Sequence, residues 1–418
     1  MTPVPFFCRY SSLEKALPVL GDSVEQMRSN GPDPNLDNGK TRMLTRRKRI
    51  VFSAVAALIP LFFLILAAEI RMRLKFSKAA VAEARRVIDP ELGWKPTPNL
   101  VREGTAIDAL RRPSKFRMTQ NADGFRLAGD PATTRPRVFV LGDSYTQSDD
   151  IDDSKFYPAL LARSIPEAEF WAFGCSGYGT FQQWMILQKH VAKIRPSVLL
   201  LQMSSNDVVN NLLELEDAMP FLATPGPRPY LMDDGTTKFH FSTRDKGLRR
   251  YSRTWGSLQD RFDAIVNKSE RWVPGQVRQY GTARNPDNFD ELLDRATEKT
   301  VALLRKMQTT IGPDAKLIAF YDEDVPPLSD ALKRACKLAG VDLIDTIGPA
   351  MMAEEGRQKK FVYRTIDKWH WNDAGHEVVA DLLEDPVRDA LGLDRAESGA
   401  APEAKIARDP KSDPNTSR

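Results

Sequence analysis

From residue 137 onward, short apolar runs alternate with helical stretches, and this alternation constrains the fold more than any other feature of the chain. Residues 137–141 (RVFVL), 169–173 (EFWAF), 197–203 (SVLLLQM), 316–321 (KLIAFY) and 341–344 read as strands. Runs that are apolar on successive residues have both faces covered, as in a parallel sheet flanked by helices. Residues 155–164, 181–193, 289–310, 329–338 and 373–391 read as helices between and after them. Strand following helix in this way predicts a three-layer α/β domain over residues 137–393. The pattern stops between residues 213 and 285, so 214–285 is read as an insertion or lid. A hairpin is expected there over 228–242, turning near Asp233-Asp234-Gly235.

Upstream, residues 50–68 form a 19-residue stretch without a charge, IVFSAVAALIPLFFLILAA. About 20 apolar residues cross a bilayer as a helix. Arg46-Arg47-Lys48-Arg49 precede the stretch and Arg71, Arg73 and Lys75 follow it. It is longer than the roughly 7–15 apolar residues of a signal peptide, and no clean Ala-x-Ala follows. An uncleaved transmembrane helix over residues 50–70 is therefore expected. Basic residues are balanced on its two sides, six in 40–49 and six in 71–86. The four adjacent charges at 46–49, and a short polar N-terminus before a large domain, favour a cytoplasmic N-terminus with the rest extracytoplasmic. Residues 1–49 read as a disordered cytoplasmic segment. Met43, followed at once by basic residues and the apolar stretch, offers a second start. Residues 71–86 read as a basic, Ala-rich helical stalk and 87–136 as an irregular lead-in broken by Pro and Gly. The polar tail, 394–418, reads as disordered.

Three cysteines, Cys8, Cys175 and Cys336, include no Cys-x-x-Cys and no Cys/His cluster, so no structural zinc is expected. A Cys175–Cys336 disulfide is left open. The net charge is +4, without the extended basic and aromatic pattern of a nucleic-acid binder.

Four short motifs sit on this layout. Gly142-Asp143-Ser144 directly follows the first strand, at the end where open α/β sheets bind ligands. Ser176-Gly177 follows the second strand and Asn206-Asp207 the third. Asp367-x-x-His370 lies in the loop before the last helix. The first three have plain structural alternatives: Gly-Asp-Ser is a common turn and helix cap, Gly177 suits any tight loop, and Asn206 suits a helix N-cap. A second copy, Gly21-Asp22-Ser23, has no matching partners before the apolar stretch and is read as chance. Together the four motifs supply a nucleophile (Ser144), a base (His370) and a carboxylate to orient it (Asp367). They also supply three oxyanion donors, the Ser144 and Gly177 N–H groups and the Asn206 amide. The other histidines, His190, His240 and His376, lie in helices or the hairpin with no nucleophile in the local sequence. Cys175 as a thiol nucleophile is a remote alternative.

In these blocks the chain resembles an SGNH hydrolase, also called a GDSL-type esterase, over roughly residues 137–392. The four naming residues match Ser144, Gly177, Asn206 and His370, and Asp367 completes a triad. Tyr145 stands in place of the usual Leu, and Ser204 where the third block often has Gly. The Gly-x-Ser-x-Gly elbow of the α/β-hydrolases is absent. The resemblance implies a flavodoxin-like α/β/α sandwich and neither metal nor cofactor. It implies a serine esterase that removes small acyl groups, such as acetyl, from an extracytoplasmic substrate. That substrate is an acylated small molecule or polysaccharide. The same residues serve an O-acyltransferase, and a non-catalytic binding or assembly protein is the rival from another class. In the insertion, Trp255 and Trp272 are either sugar-stacking platforms or its own small core, the latter slightly favoured. Its arginines, Arg249, Arg250, Arg253 and Arg271, with Tyr280 beside them, could attract an anionic polymer.

Overall fold

In the computed structural model of the protein, five of the apolar runs pair into one parallel sheet. The described residues are 46–82, 85–219, 224, 226–242, 252, 254–258 and 287–394. The sheet strands are β5 (Arg137–Gly142), β6 (Glu169–Gly174), β7 (Val198–Met203), β10 (Lys316–Tyr321) and β11 (Asp342–Ile344). Their spatial order is β11-β10-β7-β5-β6, all parallel. The order reverses between β5 and β7, which makes the carboxyl ends of β5, β6 and β7 neighbours. The alternation predicts a parallel sheet, and this strand order is the flavodoxin-like arrangement that the SGNH-hydrolase resemblance implies.

Successive side chains of a strand point to opposite faces, and the core divides accordingly. Phe139, Leu141, Leu199, Leu201 and Leu317 pack on one face against α4 (Thr180–Ile194), α7 (Phe289–Ile311) and α8 (Leu328–Ala339). Val138, Val140, Val198, Leu200, Ile318 and Phe320 pack on the other against α3 (Tyr157–Ser164), α9 (Ile347–Gln358) and α10 (Asp373–Leu391). Helix α9 escapes the sequence reading because Gly348, Pro349 and Gly356 disguise it. Pro349 sits in the first turn, where its missing N–H has no intrahelical partner to lose.

Outside the sheet, helix α1 (Arg46–Ala82) contains a segment, Arg46–Leu74, long and apolar enough to cross a membrane. The 19 uncharged residues rise about 28 Å as a helix, close to the ~30 Å of a bilayer core. The chain divides into two compact units, residues 1–63 and 64–418. The helix ends at Ala82 rather than reaching residue 86, because Arg86 already belongs to a strand. The lead-in segment is more regular than expected. It forms two antiparallel hairpins, β1 (Arg86–Asp89) with β2 (Gly93–Pro96), and β3 (Val101–Ile107) with β4 (Pro113–Thr119).

After α5 (Ser205–Asn210), helix α6 (Leu213–Ala218) buries Leu215 and Glu216 in the domain. The hairpin forms as β8 (Gly226–Leu231) and β9 (Thr237–Ser242), with Gly235 at φ +81° in the turn. Trp255 is 48% exposed, so it does not fill a core. Trp272, Tyr280, Arg249, Arg250, Arg253 and Arg271 lie outside the described residues. So do the N-terminal segment through residue 45, with Met43, Cys8 and Gly21-Asp22-Ser23, and the tail from 395. Cys175 and Cys336 are buried free thiols rather than a disulfide.

Leu200 sits on the central strand β7 and is completely buried. Leu200→Ala should lower stability by about 2–5 kcal/mol through lost burial and a residual cavity, measured by urea denaturation. A change within about 0.5 kcal/mol, the range of surface substitutions, would contradict this packing.

Candidate functional site

Ser144 opens a four-residue helix, α2 (Ser144–Gln147), at the carboxyl end of β5. The turn is tight. A Cβ on Gly142 would lie 2.1 Å from Thr146 Oγ1, and one on Gly174, its partner in β6, 2.3 Å from the Gln147 nitrogen. Asp143 caps the helix by accepting the Tyr145 N–H at 3.0 Å, and its own N–H donates to Gln202 Oε1 at 3.0 Å. Gln202 lies on β7, so the turn after β5 is fastened to its neighbour strand. As the first residue of a helix, Ser144 has an N–H with no partner in the preceding turn. Among the described residues nothing accepts it.

The histidine arrives from the other end of the chain. His370 Nε2 lies 2.8 Å from Ser144 Oγ, and His370 Nδ1 lies 2.6 Å from Asp367 Oδ2. A carboxylate only accepts, so the ring's Nδ1–H donates to Asp367. In the neutral ring Nε2 is then free to accept the serine proton. Asp367 Oδ1 also accepts the N–H groups of Trp369 (2.7 Å) and His370 (3.1 Å) and the Thr365 hydroxyl (2.7 Å). Burial would raise the Asp367 carboxyl, but the His370 ring and these donors hold it well below the usual carboxylate range. Burial would lower His370. The Asp367 hydrogen bond and charge, reinforced by Asp143 and Asp149, push it up to about 9 instead. The two side chains keep 37% and 46% of their surface exposed, so the pair stands at the rim and is screened by water.

The loop carrying this pair is fixed from beneath. The Tyr145 hydroxyl donates to the Trp369 carbonyl at 2.9 Å, and the Tyr145 ring lies against His370 with centroids 5.1 Å apart. Arg364 Nη1 donates to the same carbonyl at 2.9 Å and to Glu323 Oε1 at 2.8 Å, while its Nε reaches Glu355 Oε2 at 3.2 Å. Tyr145 is thus a support for the histidine loop, a role a leucine could not fill.

Gly177 has φ +79°, the left-handed region that suits glycine, and a Cβ there would lie 2.1 Å from Thr224 Oγ1. Its N–H, like that of Ser144, has no acceptor among the described residues. The residue before it is held through both of its backbone groups. The Ser176 N–H donates to Gln147 Oε1 at 2.5 Å, and the Ser176 carbonyl accepts from Arg86 Nη1 (2.8 Å) and Trp94 Nε1 (3.1 Å). Asn206, on α5, is 8% exposed. Its amide nitrogen donates to Asn210 Oδ1 at 3.1 Å and reaches the Tyr178 carbonyl at 3.4 Å, a contact at the weak end of the hydrogen-bond range. Ser204 is buried and its hydroxyl lies 3.0 Å from both Asp143 Oδ2 and Asp322 Oδ2. A glycine could not make this link between the turns after β5, β7 and β10.

The remaining candidates make no side-chain hydrogen bond to Ser144, His370 or Asp367 among the described residues. His376 is buried and accepts the Tyr157 N–H at 3.2 Å, and burial lowers it to about 3. His190 packs edge-on against Phe125, and His240 pairs with Asp217 at 3.1 Å. Burial pushes the Cys175 thiol far up, which removes it as a nucleophile. Arg86, Trp94, Gln147, Gln202 and Arg364 are site residues that the motifs do not indicate. Each acts through a partner distant in sequence, and no local spacing marks them.

The chain matches the family model of the GDSL-like lipase/acylhydrolase family over residues 140–378. No curated protein is significantly similar to it. Among solved structures it is similar to a catalytic mutant of Axe2, an acetylxylan esterase from Geobacillus stearothermophilus. That likeness has 12% identity and TM-score 0.35, covering 64% of this chain and 100% of the other. It is similar to the psychrotrophic esterase EstA from Pseudoalteromonas sp. at 12% identity and TM-score 0.35, covering 61% and 98%. LAE5, an alpha/beta hydrolase enzyme from the metagenome of Lake Arreo, Spain, has 15% identity and TM-score 0.35, covering 62% and 97%. The family model spans more than half of the sequence, and by that match the chain belongs to the GDSL-like lipase/acylhydrolase family and is an ester-bond hydrolase.

Proposed function

We propose that Ser144, His370 and Asp367 act as a catalytic triad that removes small acyl groups, such as acetyl, from an acylated carbohydrate outside the cytoplasm. One observation carries the reading: the unbroken contact from Ser144 Oγ through His370 to Asp367, at 2.8 and 2.6 Å. Ser144 Oγ attacks the ester carbonyl as His370 Nε2 takes its proton. The Ser144 and Gly177 N–H groups and the Asn206 amide receive the oxyanion, the amide by giving up its long contact to Tyr178. Collapse of the tetrahedral species expels the alcohol, which leaves with the proton from His370. Water, activated by the same ring, then releases the acid and restores Ser144.

The hydrolase domain spans residues 137–393 in this reading. Residues 50–70 of α1 cross the membrane, with residues 1–49 in the cytoplasm. The support is the length and apolar surface of that helix and the cluster Arg46 to Arg49. Exposed Trp255 offers an aromatic face on which a sugar ring can stack.

The test is p-nitrophenyl acetate turnover by the full chain in detergent. Ser144→Ala should abolish it, a loss of about 10³-fold or more, since triad nucleophiles carry most of the rate. Equal turnover by both proteins would remove Ser144 as the nucleophile. Asn206→Ala should keep a trace, with kcat lower by about 10²–10³; wild-type kcat would remove Asn206 from the oxyanion site.

The acid–base state of His370 sets the pH profile. Only the neutral ring accepts a proton, and Asp367 raises the ring to about 9. The kcat/KM value should therefore climb from pH 7 and level off above about 9. Asp367→Asn should lower the plateau and move the midpoint down toward the ordinary imidazole value of about 6.5. A midpoint unmoved by Asp367→Asn would detach Asp367 from the base.

A further inference from the structure

We infer that Arg86 and Trp94 are positioning residues that aim and polarise the Gly177 N–H. The inference rests on the reading of that N–H as an oxyanion donor.

The Ser176 carbonyl and the Gly177 N–H belong to one peptide unit. That unit is planar, and it is trans, since the single cis peptide among the described residues is Pro326-Pro327. In a trans peptide the C=O and N–H vectors point in opposite directions. Whatever fixes the oxygen fixes the hydrogen on the far side. Arg86 Nη1 and Trp94 Nε1 both donate to that oxygen, at 2.8 and 3.1 Å. Gln147, three residues beyond Ser144, accepts the Ser176 N–H from the other side. The next peptide is pinned as well, because Arg228 Nη2 donates to the Gly177 carbonyl at 2.8 Å. Arg228 is itself buried and paired with Glu216 at 2.9 Å, so this second support is rigid.

Arg86 adds an electronic effect. A guanidinium on a carbonyl oxygen makes a charge-assisted hydrogen bond, which draws electron density from the peptide. The attached N–H becomes a stronger donor, as in any chain of hydrogen bonds that polarise one another. Trp94 is 4% exposed, and both guanidiniums lie near its ring, Arg86 at 5.8 Å and Arg228 at 5.1 Å from the centroid. Neither Arg86 nor Trp94 belongs to the sheet. They lie on the β1–β2 hairpin, which begins four residues after α1 ends at Ala82. The oxyanion loop is therefore held by the segment that directly follows the apolar helix, and a protein trimmed to start at residue 87 would lose one of its two anchors.

The test compares the full chain in detergent with Arg86→Met, Arg86→Lys, Trp94→Phe and Ser144→Ala. The readouts are kcat and KM for p-nitrophenyl acetate, the rate of inactivation by a phosphonate ester, and the thermal midpoint. Phosphonylation also develops charge on the oxygen facing the donors, whereas a purely structural role would not single it out. Arg86→Met should lower kcat by about 10–100-fold, less than outright loss of a donor, with KM within about twofold. It should slow phosphonylation by the same factor, and Arg86→Lys should recover most of both. Trp94→Phe keeps the ring and loses the N–H, so it should show the same pattern more weakly; it supplies the reading if Arg86→Met does not fold. The inference is overturned if the folded variants keep kcat and phosphonylation rate within twofold and shift only the thermal midpoint. If Arg86→Met is unimpaired while Ser144→Ala is dead, the triad stands and this inference alone fails. If Ser144→Ala keeps full turnover, both fail.

Discussion

A buried arginine holds the two ends of this site together. Arg364 is wholly enclosed, between Glu323 just past β10 and Glu355 on α9, and its Nη1 also donates to the Trp369 carbonyl. A charge taken out of water costs several kcal/mol unless it is paired and hydrogen-bonded. Burial drives both carboxyls upward, and the shared guanidinium opposes it. A guanidinium is a rigid fork, so the contacts to Glu323, Glu355 and the Trp369 carbonyl hold together in one geometry. That geometry sets where the chain leaves residue 364, and hence where Asp367 and His370 stand. Tyr145 reaches the same carbonyl from the residue beside Ser144, so the nucleophile's turn and the base's loop share one fixed point.

The sheet supplies the other coordinate. Ser144, the Ser176–Gly177 peptide and Asn206 follow β5, β6 and β7, three adjacent parallel strands. Their turns are tied to one another by side chains of the strands and turns themselves: Gln202 to Asp143, Gln147 to Ser176, Ser204 to Asp143 and Asp322. All but the partly buried Gln147–Ser176 tie are buried, where hydrogen bonds lose little to competing water. Hydroxyls and amides thus do the work of register at the end of the sheet, where the backbone ladder has already stopped.

How much of this the sequence discloses follows from the range of each interaction. Uninterrupted apolar strands such as SVLLLQM declare a two-sided sheet, because burial on both faces is a local demand. Asp367 and His370, three residues apart in one loop, can be paired on paper, and their separation in the structure is 2.6 Å. Helix α9 is hidden because its Gly and Pro oppose its tertiary packing, and packing prevails. Arg364, Arg86 and Trp94 are hidden for another reason. The partners of Arg86 and Trp94 lie 80 to 90 residues away, and Arg364 reaches back 41 residues to Glu323, so no periodicity marks them. The lead-in looks irregular for the same cause: its hairpins are short, and their order comes from what they dock on.

That lead-in has one more consequence. Strand β6 is the outermost strand of the sheet, and an outermost strand offers unpaired amides and carbonyls to any passing chain. Leu127 bridges to Ala172 there, with the Arg126 N–H donating to the Ala172 carbonyl and the Ala172 N–H to the Leu127 carbonyl. Arg126 then runs inward to the carbonyls of Gln147, Ser148 and Ile151 and the carboxylate of Asp153, so the cover is riveted to the turn beyond Ser144. The opposite border, β11, is only three residues long. One border is kept short and the other is covered at its middle by the Leu127–Ala172 bridge, which shortens the run of free backbone groups that another chain could pair with. The residues before the first motif thus guard the middle of the sheet's longer edge, the feature by which exposed strands pair with other chains.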